Sequence, residues 1–170
     1  SHRTHGWLIL ESSPVSYGRM TSYLPVSDLL KTYFGIEVHD DERRIREKVT
    51  GKILTLDESL RGTIPVFLGL LDVATDEAEQ DTDPRERRRR TLDALKRLLL
   101  RESQVQPLLV IFENLHWLDG ETQAFLDSLV ESLPAARMLL MVNYRPEYTH
   151  GWGSKSYYTQ FRIDPLQPES

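Results

Sequence analysis

Cysteine is absent from the 170 residues, which excludes disulfides, thiolate metal sites and a cysteine nucleophile. That absence fits a reducing compartment, and a cytoplasmic setting is the expectation. Long hydrophobic runs are missing as well. The longest, Leu108 to Phe112 and Met138 to Val142, fall far short of the roughly 20 apolar residues that cross a bilayer as a helix. No membrane partner is therefore expected. The opening Ser1-His2-Arg3-Thr4-His5-Gly6 has the pattern of neither a signal peptide nor a transit peptide. Positive charge is not in excess: 21 Lys and Arg stand against 26 Asp and Glu, a net charge of -5. Overall attraction to nucleic acid is thus absent. No internal repeat or low-complexity segment is visible.

What is present is the composition of an ordinary globular protein, 39% hydrophobic and 28% charged. Trp7 to Leu10 is a short apolar run, followed by Glu11-Ser12-Ser13-Pro14, and reads as a buried strand ending in a loop. Leu29, Leu30, Tyr33 and Phe34 have helical spacing, with Gly35 where a C-cap belongs. Asp40 and Asp41 can cap a second helix with the stripe Ile45, Val49 and Ile53. Thr63 and Pro65 open a short third helix through Leu71, and the acidic stretch Asp72 to Pro84 reads as a linker. Pro84 begins a long helix through about Glu102, with Leu92, Leu95, Leu98 and Leu99 on its apolar face.

Leu108 to Phe112 suits a central parallel strand covered on both faces. Asp119 caps a helix carrying Thr122, Phe125, Leu126, Leu129, Val130 and Leu133 on one side, and Met138 to Val142 is a second apolar strand. Tyr158 to Ile163 reads as a last extended strand leading into Asp164-Pro165. Helix, strand, helix, strand predicts an α/β sandwich with a parallel sheet. Ligands bind such sheets at the carboxyl ends of the strands. Chemistry is therefore expected just after Phe112 and Val142.

Glu113 directly follows the first of these strands. A carboxylate at the end of a buried strand is costly unless a cation or hydrogen bonds compensate it. In nucleotide hydrolases Mg²⁺ and its waters do so. An acid facing water is the plainer reading when Glu113 is taken alone.

The longer phrase LLVIFENLHWLDGETQAFLDSL, residues 108 to 129, resembles the Walker B segment of AAA-type ATPase modules in STAND signalling proteins. The resemblance is greatest to modules fused to bacterial adenylate/guanylate cyclase domains and helical, TPR-like repeats, with related modules in large LuxR-type regulators. Glu113 matches the first acid of that pattern, His116-Trp117 its aromatic pair, and Asp119 the acid that starts the next helix. Met138 to Pro146, ending in Asn143-Tyr144-Arg145-Pro146, resembles the family's sensor strand. Gly151-Trp152-Gly153-Ser154 adds to the likeness.

The resemblance implies an AAA-type P-loop NTPase sandwich over residues 1 to 170, with ATP and Mg²⁺ as ligands of the complete domain. It implies Mg²⁺ held through water by Glu113, and Glu113, Asn143 and Arg145 near the nucleotide. Glu113, Asn114 and Arg145 would serve catalysis. An attached output domain, helical repeats and an oligomer are the implied partners.

The sequence departs from the family twice. No G-x-x-x-x-G-K-[ST] phosphate loop occurs: Gly51-Lys52 precedes Ile53, and Gly153-Ser154-Lys155-Ser156 has its lysine one place late. The expectation is that the loop and its strand lie before Ser1, leaving the domain incomplete at its N-terminus. The family's sheet order puts that strand next to the sensor strand. The second departure is Asn114, where the family usually has an acid; an amide can orient water but cannot take its proton.

A degenerate, non-catalytic interaction domain is the alternative that Asn114 supports. A nucleic-acid-binding regulator using the Arg87 to Arg97 helix is another, although a solvated helix face with Glu86 as the i,i+4 partner of Arg90 explains the block Arg87 to Arg90 better. His39-Asp40-Asp41 reads as capping in preference to a metal site, His116 as a packing or hydrogen-bonding residue, and Trp117 as a core anchor. Tyr17, Tyr23 and Tyr33 indicate no site.

Overall fold

Three short strands lie parallel in one sheet, and the two five-residue apolar runs are neighbours in it. A computed structural model describes residues 6–12, 22–75 and 83–163. Strands β1 (Leu8–Ser12), β2 (Leu108–Phe112) and β3 (Met138–Val142) run in the order β1-β2-β3. Leu108 pairs with Leu8 on one side and Met138 on the other, and Phe112 likewise with Ser12 and Val142. All three strands therefore end at one edge, and β2 and β3 are parallel neighbours as expected from the sequence. Ser13-Pro14, Tyr17, Asp164-Pro165 and most of the acidic stretch after Asp72 lie outside the described residues.

Five helices accompany the sheet among the described residues: α1 (Leu24–Phe34), α2 (Glu42–Leu56), α3 (Ile64–Leu70), α4 (Pro84–Val105) and α5 (Gly120–Ser132). Their boundaries follow local chemistry. Gly35 stops α1 at φ 64°, a left-handed conformation open to glycine without a Cβ penalty. The Asp41 carboxylate accepts the Arg44 N–H at 2.8 Å and starts α2, while Pro84 sits in the first turn of α4 behind the cap Asp83. Val49 and Ile53 of α2, and Leu95, Leu98 and Leu99 of α4, are buried in one core with Phe67, Phe125 and Leu126. The Tyr33 hydroxyl donates to buried Glu102 at 2.7 Å, tying α1 to α4, and Arg101 meets Asp57 at 2.7 Å at the foot of α2.

Two sequence expectations need correction. The sheet is covered unequally: Leu10, Ser12, Leu108, Val110 and Phe112 are buried on one face, whereas Ile9, Leu139 and Met141 on the other are exposed. Side chains alternate along a strand, so the described helices cover the even-numbered face only. Tyr158 to Ile163 forms no strand, and Phe161 and Ile163 are exposed. A strand exists through ladder partners, and this segment has none among the described strands.

The burial contrast predicts a stability contrast. Leu126→Ala, at a fully buried position, should cost ~2–5 kcal/mol in urea unfolding. Leu139→Ala, at a side chain 50% exposed, should stay within about 0.5 kcal/mol. Equal losses would show that the odd-numbered face is covered after all.

Candidate functional site

The carboxyl edge is built by carrying the strand ladders one residue further. Beyond Phe112, the Glu113 N–H donates to the Ser12 carbonyl at 3.0 Å, and the Asn143 N–H donates to the Phe112 carbonyl at 3.2 Å. The chain then turns sharply. Asn114 takes φ 56° and ψ 48°, a left-handed conformation in which asparagine is among the best tolerated non-glycine residues.

Asn143 holds that turn from the neighbouring strand. Its side-chain oxygen accepts the Asn114 N–H at 2.6 Å, and its carbonyl accepts the Leu115 N–H at 3.0 Å. The Trp117 N–H closes the following short turn on the Asn114 carbonyl at 2.9 Å. Leu115 plugs the core beneath. One asparagine thus satisfies two N–H groups of a turn that has left the β-ladder.

The four residues nominated by sequence come together here. Glu113 and Asn114 follow β2, while Asn143 and Arg145 follow β3, at the same sheet edge. Arg145 is exposed, with its guanidinium carbon 5.9 Å from the centre of the Trp117 ring, within cation–π reach. Trp117 is half-buried, so Leu115 has the anchoring place expected of Trp117. The difference arises because the left-handed step at Asn114 turns Leu115 inward.

Asp119 proves to be an architectural acid. Its buried carboxylate accepts from the backbone N–H groups of Tyr23, Glu121 and Thr122 at 3.2, 3.0 and 2.9 Å, and from the Thr122 hydroxyl at 2.6 Å. These bonds occupy the carboxylate in capping α5 and fixing the entry to α1. Tyr23 extends the link, its hydroxyl donating to Glu121 at 3.1 Å, and Arg88 of α4 reaches the same carboxylate at 2.6 Å. Burial, then the Glu121 charge, pushes the Tyr23 hydroxyl up from its ordinary value. The left-handed backbone of Tyr23, at φ 61°, leaves no pattern in the sequence, and its role was not legible there.

An acid after the middle strand, at the carboxyl edge of a parallel sheet, suits nucleotide chemistry. A family model for the AAA ATPase domain matches residues 1–142. The chain belongs to the AAA ATPase domain family. Comparison with curated proteins found no match, and none was found among solved structures.

Members of this family bind ATP with Mg²⁺, and the two halves of such a ligand fit this chain differently. Mg²⁺ usually keeps several waters and needs only one or two carboxylates besides phosphate oxygens. Half-buried Glu113 at the sheet edge fits that demand, whereas no cluster of three metal-ligating side chains occurs among the described residues. Among the described residues the phosphate half has no cradle. Gly51 and Lys52 lie inside α2, with the Lys52 ammonium 4.3 Å from the centre of the Tyr33 ring. Lys155 pairs with Glu131 at 2.5 Å.

Two other sequence readings find their place. Glu86 meets Arg89 at 2.7 Å and Arg90 at 3.3 Å, a solvated helix face. Asp41 caps α2 as expected, whereas Asp40 pairs with Lys48 at 2.6 Å and accepts the Glu37 N–H at 2.8 Å. No described helix is long and apolar enough to cross a membrane.

The turn can be tested by its backbone. Asn114→Gly should leave the urea midpoint nearly unchanged, because glycine accepts φ 56° freely. Asn114→Val should lose ~1–2 kcal/mol or more, since a β-branched residue is strained there. Equal tolerance of both would show that the turn is not left-handed in solution.

Proposed function

We propose that the chain is the magnesium-side part of an ATP-binding and hydrolysing regulatory module within a multidomain, cyclase-linked signalling protein of the cytoplasm. The observation that carries the nucleotide reading is the Asn143 brace, which puts Glu113 and Arg145 at one edge of adjacent parallel strands. The signalling context rests on the resemblance of the Glu113 and Arg145 phrases to cyclase-linked modules. An output domain, helical repeats and an oligomer are its proposed partners.

In this reading Glu113 would hold the cation through its waters. Asn114 would orient water without accepting its proton, and Asn143 and Arg145 would contribute to holding the nucleotide. The cation would supply charge neutralisation to the phosphates.

The strand, glycine-rich loop and helix of a P-loop unit would complete the sheet beside β3. Both the edge of β3, which has no ladder partner among the described residues, and the exposed apolar side chains of Ile9, Leu139 and Met141 support that placement. A non-catalytic interaction domain is the second reading, favoured by the amide at Asn114. Nucleic-acid binding through α4 is weaker, because Arg88, Arg89 and Arg90 are paired with Glu121 and Glu86.

The 170-residue chain by itself should bind magnesium-ATP weakly or not at all in titration calorimetry, for want of convergent N–H donors and a lysine. Micromolar, magnesium-dependent affinity would reveal another pocket. With a strand–glycine loop–helix unit supplied, Glu113→Gln should weaken magnesium-dependent binding and abolish turnover. Asn114→Asp should speed phosphate release, within the ~10²–10⁴-fold that a general base contributes. If neither substitution changes binding or release, the interaction-domain reading takes its place.

A further inference from the structure

Residues 144 to 158 lie beyond the region matched by the family, and side chains that the proposed site does not use fold them onto α5. His150 stands at their centre. Its Nδ1 accepts the Trp152 backbone N–H at 3.1 Å. Its Nε2 lies 3.0 Å from the Tyr144 hydroxyl and 3.2 Å from that of Tyr158, and these hydroxyls are 2.7 Å apart. The His150 ring stacks on Trp152, with centroids 4.7 Å apart and planes at 24°. Trp152 is buried, and its indole N–H donates to Asp127 of α5 at 2.9 Å.

These contacts fix the proton count of the imidazole. Because Nδ1 accepts an N–H, it carries no proton of its own, and the neutral ring has its single proton on Nε2, directed at the tyrosine hydroxyls. A second proton would have to sit on Nδ1, facing the Trp152 N–H donor at 3.1 Å. The ring cannot keep that bond once charged.

We propose that His150 is a proton-operated latch: its neutral ring holds residues 144 to 158 on α5 and thereby positions Arg145 over Trp117, and its protonation releases the segment. Tyr144 directly precedes Arg145, and the Tyr148 N–H donates to the Arg145 carbonyl at 3.0 Å. The bonds of His150 to Tyr144 are therefore transmitted to the arginine within a few atoms. Asp127 from α5 is the charged group acting on the imidazole, and Tyr144, Tyr148 and Tyr158 surround it from its own segment. Burial keeps Tyr148 and Tyr158 protonated, each hydroxyl pushed up to about 12. Lys155 pairs with Glu131 further along the same segment.

The direction of the pH dependence follows. Burial lowers the His150 pKa from its ordinary 6.5 and outweighs the Asp127 charge, which raises it. The released segment then binds the proton more readily than the latched one. Latching is complete above about 6.5, the ordinary histidine value, and is lost as pH falls through the lowered latched-state value. The latch is independent of the ATPase reading; only the meaning of moving Arg145 rests on it.

The test is a nucleotide-free NMR titration of the whole chain from pH 8 to 5. The expected result is a His150 midpoint below 6.5. At that midpoint the Trp152 backbone amide should lose at least tenfold in exchange protection, corrected for intrinsic rates, and the Trp117 indole signal should move with it. H150N keeps an acceptor for the Trp152 N–H and cannot titrate, so its Trp152 signals should stay flat over the range. A midpoint at or above 6.5, protection constant through the titration, or a wild-type response in H150N would overturn the latch. A stationary Trp117 signal beside a responding Trp152 would overturn its link to Arg145. Because no nucleotide is present, none of these outcomes depends on the calorimetric test of ATP binding.

Discussion

The Asn143 brace is the interaction on which the carboxyl edge depends. A parallel strand buried in a sheet must shed its ladder when it ends, and each N–H beyond that point needs a new acceptor. After Phe112 the chain solves this with two devices from a neighbouring strand, the Asn143 side-chain oxygen and the Asn143 carbonyl. The resulting left-handed step at Asn114 sends Leu115 into the core, so the turn is locked from above by hydrogen bonds and from below by packing. Glu113, which precedes the step, and Arg145, which follows the brace, take their positions from it. A side chain at the end of one strand thus determines the backbone after another, and the two chemical phrases of the sequence become one site.

The unequal cover of the sheet bears on the same site. Ile9, Leu139 and Met141 keep apolar side chains at positions where a solvent-facing strand of a two-layer fold would alternate to polar ones. Fully apolar strands are the mark of sheets covered on both faces, and β3 has that sequence while carrying cover on one. An unpaired, apolar edge strand is also a template for pairing. In the proposed reading, one strand–loop–helix unit beside β3 would supply ladder, layer and phosphate donors together. The stability of this portion and its nucleotide chemistry are in that sense coupled through one strand edge.

Much of this was legible in the sequence, for definite physical reasons. The apolar runs at Leu108 and Met138 fixed strand identity and parallel pairing, because continuous hydrophobicity of that length between helical periods has few other solutions. Caps at Gly35, Asp41 and Asp119 lie where local chemistry demands them. The strand expected over Tyr158 to Ile163 failed because alternation alone cannot supply a ladder partner. Trp117 was assigned the anchoring place of Leu115 because residue size suggests burial, whereas the backbone turn decides which side chain points inward. The brace, the Tyr23 bond to Asp119 and the Trp152 bond to Asp127 join residues far apart in sequence, and no local period carries them.

Asn114 is where two demands on one residue meet. The backbone requires a residue that accepts the left-handed region, which asparagine and aspartate do and most others do not. Catalysis, in the proposed reading, would favour the carboxylate, since only it can take a proton from water. Geometry therefore favours glycine or a short polar side chain, and among the polar ones leaves the choice between amide and acid to chemistry. An amide preserves the turn, the Asn143 brace and the placement of Glu113, while withdrawing the base. That combination separates nucleotide occupancy from nucleotide turnover, so the bound state would persist and the conformation it holds would be the signal. In the proposed reading, Arg145, lying against Trp117 on a segment packed on α5, would report that conformation to the rest of the molecule.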